Sequence, residues 1–227
     1  MNILLTIAVT FFAGMGAGLG TGFAGMSAAA VISPMLITFL KMDPYMAVGI
    51  ALSSDVLASA VSAYIYGKNK NLDIKNGIIM MISVLTFTVV GSYIASLLPA
   101  ATMGSFSVFM TFLLGIKFIV RPVMTTKEAM QGVSAKKRAI QSVVCGIMIG
   151  LICGFVGAGG GMMMLLILTS VLGYELKTAV GTSVFIMAFT AFTGAVSHFM
   201  IVGAPDWTVF ILCVVFTLIW ARIAARF

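Results

Sequence analysis

The sequence predicts an all-α membrane protein, a polytopic helical bundle of two homologous repeats whose helices are broken at glycine-rich points. Three observations predict it. Of 227 residues, 61% are hydrophobic and only 8% charged, and the mean hydropathy is +1.18, more apolar than a soluble domain of this size can present to water. The few charges divide the chain into apolar runs long enough to cross about 30 Å of hydrocarbon as helix. Sliding the sequence by 132 positions brings one half into register with the other.

Seven apolar segments follow in order: Ile3–Leu40, Pro44–Tyr66, Asn76–Leu98, Ala101–Val120, Ala139–Tyr174, Thr178–Val202 and Trp207–Ala225. The first lacks a basic leader and a clear cleavage site, so it is expected to be retained as a span. Segments one and five each run past 30 residues without a charge. As continuous helix either would be roughly 50 Å long, too long for the hydrocarbon layer. Both are expected to break, tilt or re-enter. Gly14, Gly18 and Gly22, and again Gly146, Gly150 and Gly154, recur every four residues, the spacing of close helix packing in membranes. Packing explains less of Gly157-Ala158-Gly159-Gly160-Gly161, which reads as an interrupted helix.

The 132-residue shift pairs Gly14 with Gly146, Gly18 with Gly150, Gly22 with Gly154, Phe23 with Phe155 and Gly25 with Gly157. It continues without a gap through Ala47-Val48-Gly49 and Ala179-Val180-Gly181, and one further residue of shift aligns Asp73 with Asp206. Residues 1–121 therefore read as a first repeat of four segments, 122–138 as a basic linker and 139–227 as a second repeat of three, with a last helix expected to be missing. The linker region carries Lys117, Arg121, Lys127, Lys136, Lys137 and Arg138 against Glu128, which marks it as cytoplasmic in an inner (plasma) membrane protein. If each segment crosses once, Lys68, Lys70 and Lys75 join that side. Lys41, Lys177, Arg222 and Arg226 then fall outside and the N-terminus is cytoplasmic. A re-entrant segment alters that parity, and the repeats are parallel with four spans per half or inverted with an odd number.

The net charge of +7 forms no basic stripe interleaved with aromatic residues, so nucleic acid is not an expected partner. Cys145, Cys153 and Cys213 lie inside apolar segments and make no C-x-x-C, consistent with packing. No hydrolase, zincin or Walker motif is present, so the reading is not an enzyme and needs no cofactor. Duplicated halves with glycine-broken helices point instead to a transport site near the membrane midplane, where unwound backbone binds a desolvated ion. The candidate cradle is Gly22, Gly25 and Ser27 facing Gly157, Gly159, Gly160 and Gly161. Beside it lie Ser53, Ser54 and Asp55 in one half and Thr182 and Ser183 in the other. The serines either meet substrate or bond their own helix carbonyls. Asp55 is an ionisable group in mid-span, able to bind a coupling cation, carry a proton or act as a strut. His198 reads either as a substrate or proton group or as an interfacial anchor. Met162-Met163-Met164 point to different helix faces and read as packing, not as a copper site.

Taken together, Gly157-Ala158-Gly159-Gly160-Gly161, Ala179-Val180-Gly181-Thr182-Ser183, Gly194-Ala195-Val196-Ser197-His198 and Gly203-Ala204-Pro205-Asp206 resemble the sulfite exporter TauE/SafE family of permeases. The first half echoes the pattern at Gly22-Phe23-Ala24-Gly25-Met26-Ser27, Ala47-Val48-Gly49 and Asn71-Leu72-Asp73. The resemblance implies a two-half helical permease of about eight spans for sulfite or small organosulfur anions such as sulfonates, exporters and importers alike. Two departures are Met26-Ser27-Ala28-Ala29 in place of a full glycine run and Ile50-Ala51 in place of Thr-Ser. The expected partners are a small anion and membrane lipid, with room for a homodimer. The competing readings are a membrane-embedded metal or cation carrier using Asp55, and a non-transporting assembly subunit.

Overall fold

In hydrocarbon every backbone amide must bond inside the protein, so apolar runs of this length fold as helix. The computed structural model describes residues 3–96, 116, 120, 135–156 and 160–227, and among them all regular structure is helical. The helices are α1 (Ile3–Ala24), α2 (Ala29–Leu40), α3 (Pro44–Lys68), α4 (Ile74–Ser96), α5 (Ala135–Val156), α6 (Gly160–Ser170), α7 (Leu176–Val202) and α8 (Trp207–Ala224). Five of them, α1, α3, α4, α7 and α8, are long and apolar enough to cross a membrane. Most of the fourth apolar segment and of the linker lies outside the described residues.

Three helices start on aspartates that cap them. Asp43 accepts the Met46 N–H ahead of Pro44 at the first position of α3, Asp73 accepts the Asn76 N–H at α4, and Asp206 accepts those of Thr208 and Val209 at α8. A carboxylate there satisfies orphan amides and the positive helix end, and proline has no amide to lose. Interfaces between helices are lined with small residues such as Ala13, Ala17, Ala47, Ala51, Ala58 and Ser62. Phe12, Ile82, Val89, Phe192 and Ile211 point outward, as lipid-facing side chains do.

The first apolar segment is two helices. Gly25 adopts φ +59°, a left-handed conformation that favours glycine, and α1 ends there with its Gly25 N–H on the Thr21 carbonyl at 3.0 Å. The Thr21 hydroxyl donates to the carbonyls of Ala17 and Met26, each at 2.9 Å, tying the two sides of the turn together. Gly16 on α1 then faces Val31 on α2, so α2 runs back along α1 as a hairpin. In the fifth segment α5 is described to Val156 and α6 from Gly160; Gly157 and Gly159 lie outside the described residues.

Close contacts also fix the directions of the other helices. Gly14, Gly18 and Gly22 meet Phe216 through Ala225 in ascending order, and Gly146 and Gly150 meet Met80 through Thr88 in ascending order. Hence α1 is parallel to α8 and α5 to α4. Gly49 near the start of α3 meets His198 and Phe199 near the end of α7, while Gly181 near the start of α7 meets Tyr66 and Asn71 at the end of α3, so these two are antiparallel. Gly77 at the start of α4 meets Thr182 and Phe185, and the Tyr66 hydroxyl donates to the Gly22 carbonyl at 2.9 Å. It follows that α1, α3 and α8 point one way and α4, α5 and α7 the other.

Helices equated by the 132-residue shift, α1 with α5 and α3 with α7, therefore run in opposite directions. Their contacts correspond in detail. A methyl group built on Gly18 would lie 2.5 Å from the Thr217 carbonyl oxygen and 2.7 Å from the Trp220 Cβ; one on Gly150 would lie 2.6 Å from the Val84 carbonyl oxygen and 2.8 Å from the Phe87 Cβ. Thr217 and Trp220 are the residues 133 positions beyond Val84 and Phe87.

The return of α2 after α1 and of α6 after α5 changes the expected distribution of charge. Lys68, Lys70, Lys75, Lys136, Lys137, Arg138, Lys177, Arg222 and Arg226 all fall at the end of the bundle where α3 and α8 finish and α4, α5 and α7 begin. Lys41 lies at the opposite end, together with the start of α1. The start of α1 leaves the linker's end because α2 returns along α1 without adding a crossing, and Lys177, Arg222 and Arg226 join it because α6, after α5, leads back to Tyr174 beside Asp73.

Candidate functional site

Helices α2 and α6 contain 12 and 11 residues, about 17–18 Å at a rise of 1.5 Å per residue and only half of the roughly 30 Å hydrocarbon core. Their amino ends meet. A methyl group on Gly161, in the first turn of α6, would lie 2.6 Å from the Gly25 carbonyl oxygen, 2.7 Å from the Ser27 nitrogen and 2.5 Å from the Met187 sulfur. A methyl on Gly25 would collide with the Ser183 hydroxyl. From this junction α2 descends to the Lys41 end. Helix α6 climbs to the basic end, where Tyr174 donates to the Asp73 carboxylate at 2.8 Å. Two half-helices thus aim their positive amino ends at each other from opposite faces.

Asp55 fixes the depth of the junction. It is the twelfth of the 25 residues of α3 and is 1% exposed. Its Oδ2 accepts the Ser27 hydroxyl at 2.6 Å and its Oδ1 the Ser59 hydroxyl at 2.8 Å, with the Ala28 backbone N–H a further donor. Ser27 Oγ accepts the Ala29 N–H at 3.3 Å. The first turn of α2 is therefore held on mid-span α3 by a carboxylate and two hydroxyls.

Of the residues singled out in the sequence, Gly25, Ser27, Asp55, Gly161 and Ser183 come together at this junction, with Gly160 beside them against Cys153. Gly22 stands one turn before it, covered by Ala221 and Ala224 of α8, and packs two helices. Ser53, Ser54 and Ser183 donate to the carbonyls of Gly49, Ile50 and Val180 at 2.9, 3.0 and 2.9 Å, the internal bonding by which hydroxyls satisfy themselves in a helix. The Thr182 hydroxyl accepts the Asp73 N–H at 3.2 Å, away from the half-helix ends. His198 packs its Cβ against Gly49, towards the end opposite the basic one. Among the described residues no three His, Cys, Asp or Glu side chains converge as a metal site.

Two participants escaped sequence reasoning although each carried a signal. Ser59 follows Asp55 by four residues and so shares its helix face. Met187 stands 132 positions beyond Asp55 and takes the corresponding place beside Gly161. A further polar cluster links the two halves at the basic end. There Asp73 accepts Tyr174 and, at 2.7 Å, the Asn76 side-chain amide, while its own N–H goes to Thr182. The positions equivalent to Tyr174 and Thr182 are Met42 and Ile50, so the opposite end has no such latch at these places. Tyr174→Phe is expected to lower thermal stability by about 1 kcal/mol and to leave Asp55→Asn with its own full effect in the double variant, since the two sites are separate. Thermal unfolding of the single and double variants checks this.

A family model described as sulfite exporter TauE/SafE matches residues 10–227. The chain is similar to a Bacillus subtilis (strain 168) protein named "Probable membrane transporter protein YunE", with 26% identity over 84% of this chain and 74% of that protein. It is also similar to "Probable membrane transporter protein YdhB" of the same organism, with 24% identity over 92% of this chain and 85% of the relative. No solved structure matches it significantly. With residues 10–227 matched, and with five candidate spans and only helical regular structure among the described residues, the chain belongs to the sulfite exporter TauE/SafE family of membrane transporters.

Proposed function

We propose that this chain is a secondary transporter for a small anion, sulfite or an organosulfur anion such as a sulfonate, working by alternating access around the paired half-helix ends. The observation that carries the reading is the contact of Gly161 with the Gly25 carbonyl and the Ser27 amide, which sets two helix amino ends together in mid-bundle. Amino ends attract anions through free amides and the helix dipole, and low dielectric strengthens both. Opposed helix directions in equivalent elements support an inverted repeat, in which rocking one half against the other opens the junction to each face in turn. The base-rich end supports an inner-membrane orientation with the linker in the cytoplasm and the start of α1 outside.

The cation-carrier reading finds less support. A cation needs the lone pairs of Asp55, and those are already receiving Ser27, Ser59 and Ala28 donors. Proteoliposomes test the choice directly. Saturable uptake of labelled sulfite, competed by thiosulfate or a sulfonate and indifferent to divalent cations, is the expected result. Metal-ion flux without anion flux in folded protein overturns it.

A further inference from the structure

We propose that Asp55 is a built-in counter-anion for the first half-helix, so that only the second half-helix end is left to grip a transported anion. This rests on the anion-transport reading and assigns the two halves unequal parts within it.

The carboxylate sits where a bound anion would sit at the start of α2. It accepts the Ser27 hydroxyl and the Ala28 N–H from that turn and the Ser59 hydroxyl from its own helix. Among the described residues no Lys or Arg pairs with it, so an ionised Asp55 in mid-span depends on the helix end and these donors for its compensation. A free anion arriving at α2 would have to displace a group already tethered there.

The equivalent positions of the second half carry none of those side chains. The residue equivalent to Asp55 is Met187 and that equivalent to Ser59 is Ala191, both buried, while Ser27 becomes Gly159. The side chain that reaches the α6 amino end from α7 is thus a neutral thioether beside Gly161. A thioether neither neutralises a helix dipole nor occupies its amides as a carboxylate does. Among the described residues, the start of α2 is thus met by a carboxylate and the start of α6 by a thioether. An anion placed at α6 would also feel the repulsion of Asp55 across the junction, which holds affinity down to a level from which release is possible.

Exchanging the charges tests this. Purified wild-type protein in nanodiscs is expected to bind one equivalent of sulfite by calorimetry. Asp55→Ala empties the α2 site, so its loss of thermal stability is expected to be regained on adding sodium acetate or sulfite but not sucrose, and a second equivalent of sulfite should bind. Met187→Asp installs a tethered carboxylate at α6 and is expected to lose sulfite binding and flux, with Met187→Leu retaining them. Should Asp55→Ala yield folded protein only when purified in acetate, that too supports the proposal. Stability that no small anion restores, or Met187→Asp that binds and transports like Met187→Leu, overturns it. If wild type binds no sulfite at all, the transport reading fails, whereas acetate rescue of Asp55→Ala still decides the role of Asp55.

Discussion

Gly161→Ala is expected to abolish anion flux although it adds a single methyl group. The methyl would lie 2.6 Å from the Gly25 carbonyl oxygen and 2.7 Å from the Ser27 nitrogen, and neither is the yielding tip of a side chain. Gly25 is held at φ +59° by the turn it makes, and Ser27 is held by Asp55 at 2.6 Å. Relief must therefore come from moving α6 away from the α1–α2 turn as a body. Overpacking of this kind costs about 1–3 kcal/mol, which a bundle with many other interfaces can survive. Its effect falls on the geometry of the half-helix ends, where a misplacement on the order of 1 Å can reduce rate by about a hundredfold. Flux measured beside thermal unfolding separates the two: folded protein with flux lost is the expected outcome, and unchanged flux would place the anion path elsewhere.

The second large effect concerns assembly. Gly18→Leu and Gly150→Leu are each expected to cost several kcal/mol and to cost nearly the same, although they lie in different halves. At both positions a Cβ meets the backbone of the neighbouring helix, at 2.5 Å for Gly18 and 2.6 Å for Gly150, so a leucine must part α1 from α8 or α5 from α4. Such interfaces draw their stability from close backbone approach, because lipid gives no hydrophobic incentive to associate. Gly20→Ala supplies the contrast. Its nearest neighbour would be the Met26 sulfur at 3.5 Å, an ordinary contact, and alanine in place of a helical glycine is worth up to about 1 kcal/mol. Unfolding in detergent should therefore show two matched losses and one gain.

How much of this was legible in the sequence depends on what each residue touches. The helical class, the apolar spans and the weak point near Gly25 follow from composition and glycine spacing, since both act locally. The four-residue spacing of Gly14, Gly18 and Gly22 also indicated packing, and α8 covers all three. The direction of α2 was not legible, because a 38-residue apolar run can tilt or turn back with the same residues. The same ambiguity in the fifth segment set Lys177, Arg222 and Arg226 at the end opposite the linker, and that in the first set the start of α1 beside it. Asp55 stood out as a mid-span charge, but its partners required the fold. Ser27 lies 28 residues away, and the sequence gives no rule that brings it to α3. Thr182 was drawn in by its place beside Ala179-Val180-Gly181 and His198 as a titratable group near the end of its segment, and their contacts lie with Asp73 and Gly49, in the frame around the junction.

The most direct test of the account is to locate the anion itself. Selenite has the shape and charge of sulfite and scatters anomalously, so crystals of the native protein soaked with it would report the site as a selenium peak. The account predicts a peak at the amino end of α6, in hydrogen-bonding reach of the Gly160 and Gly161 amides and on the side away from Asp55. A peak on the bundle surface, or an occupied cavity distant from Gly25, Ser27 and Gly161, would contradict it.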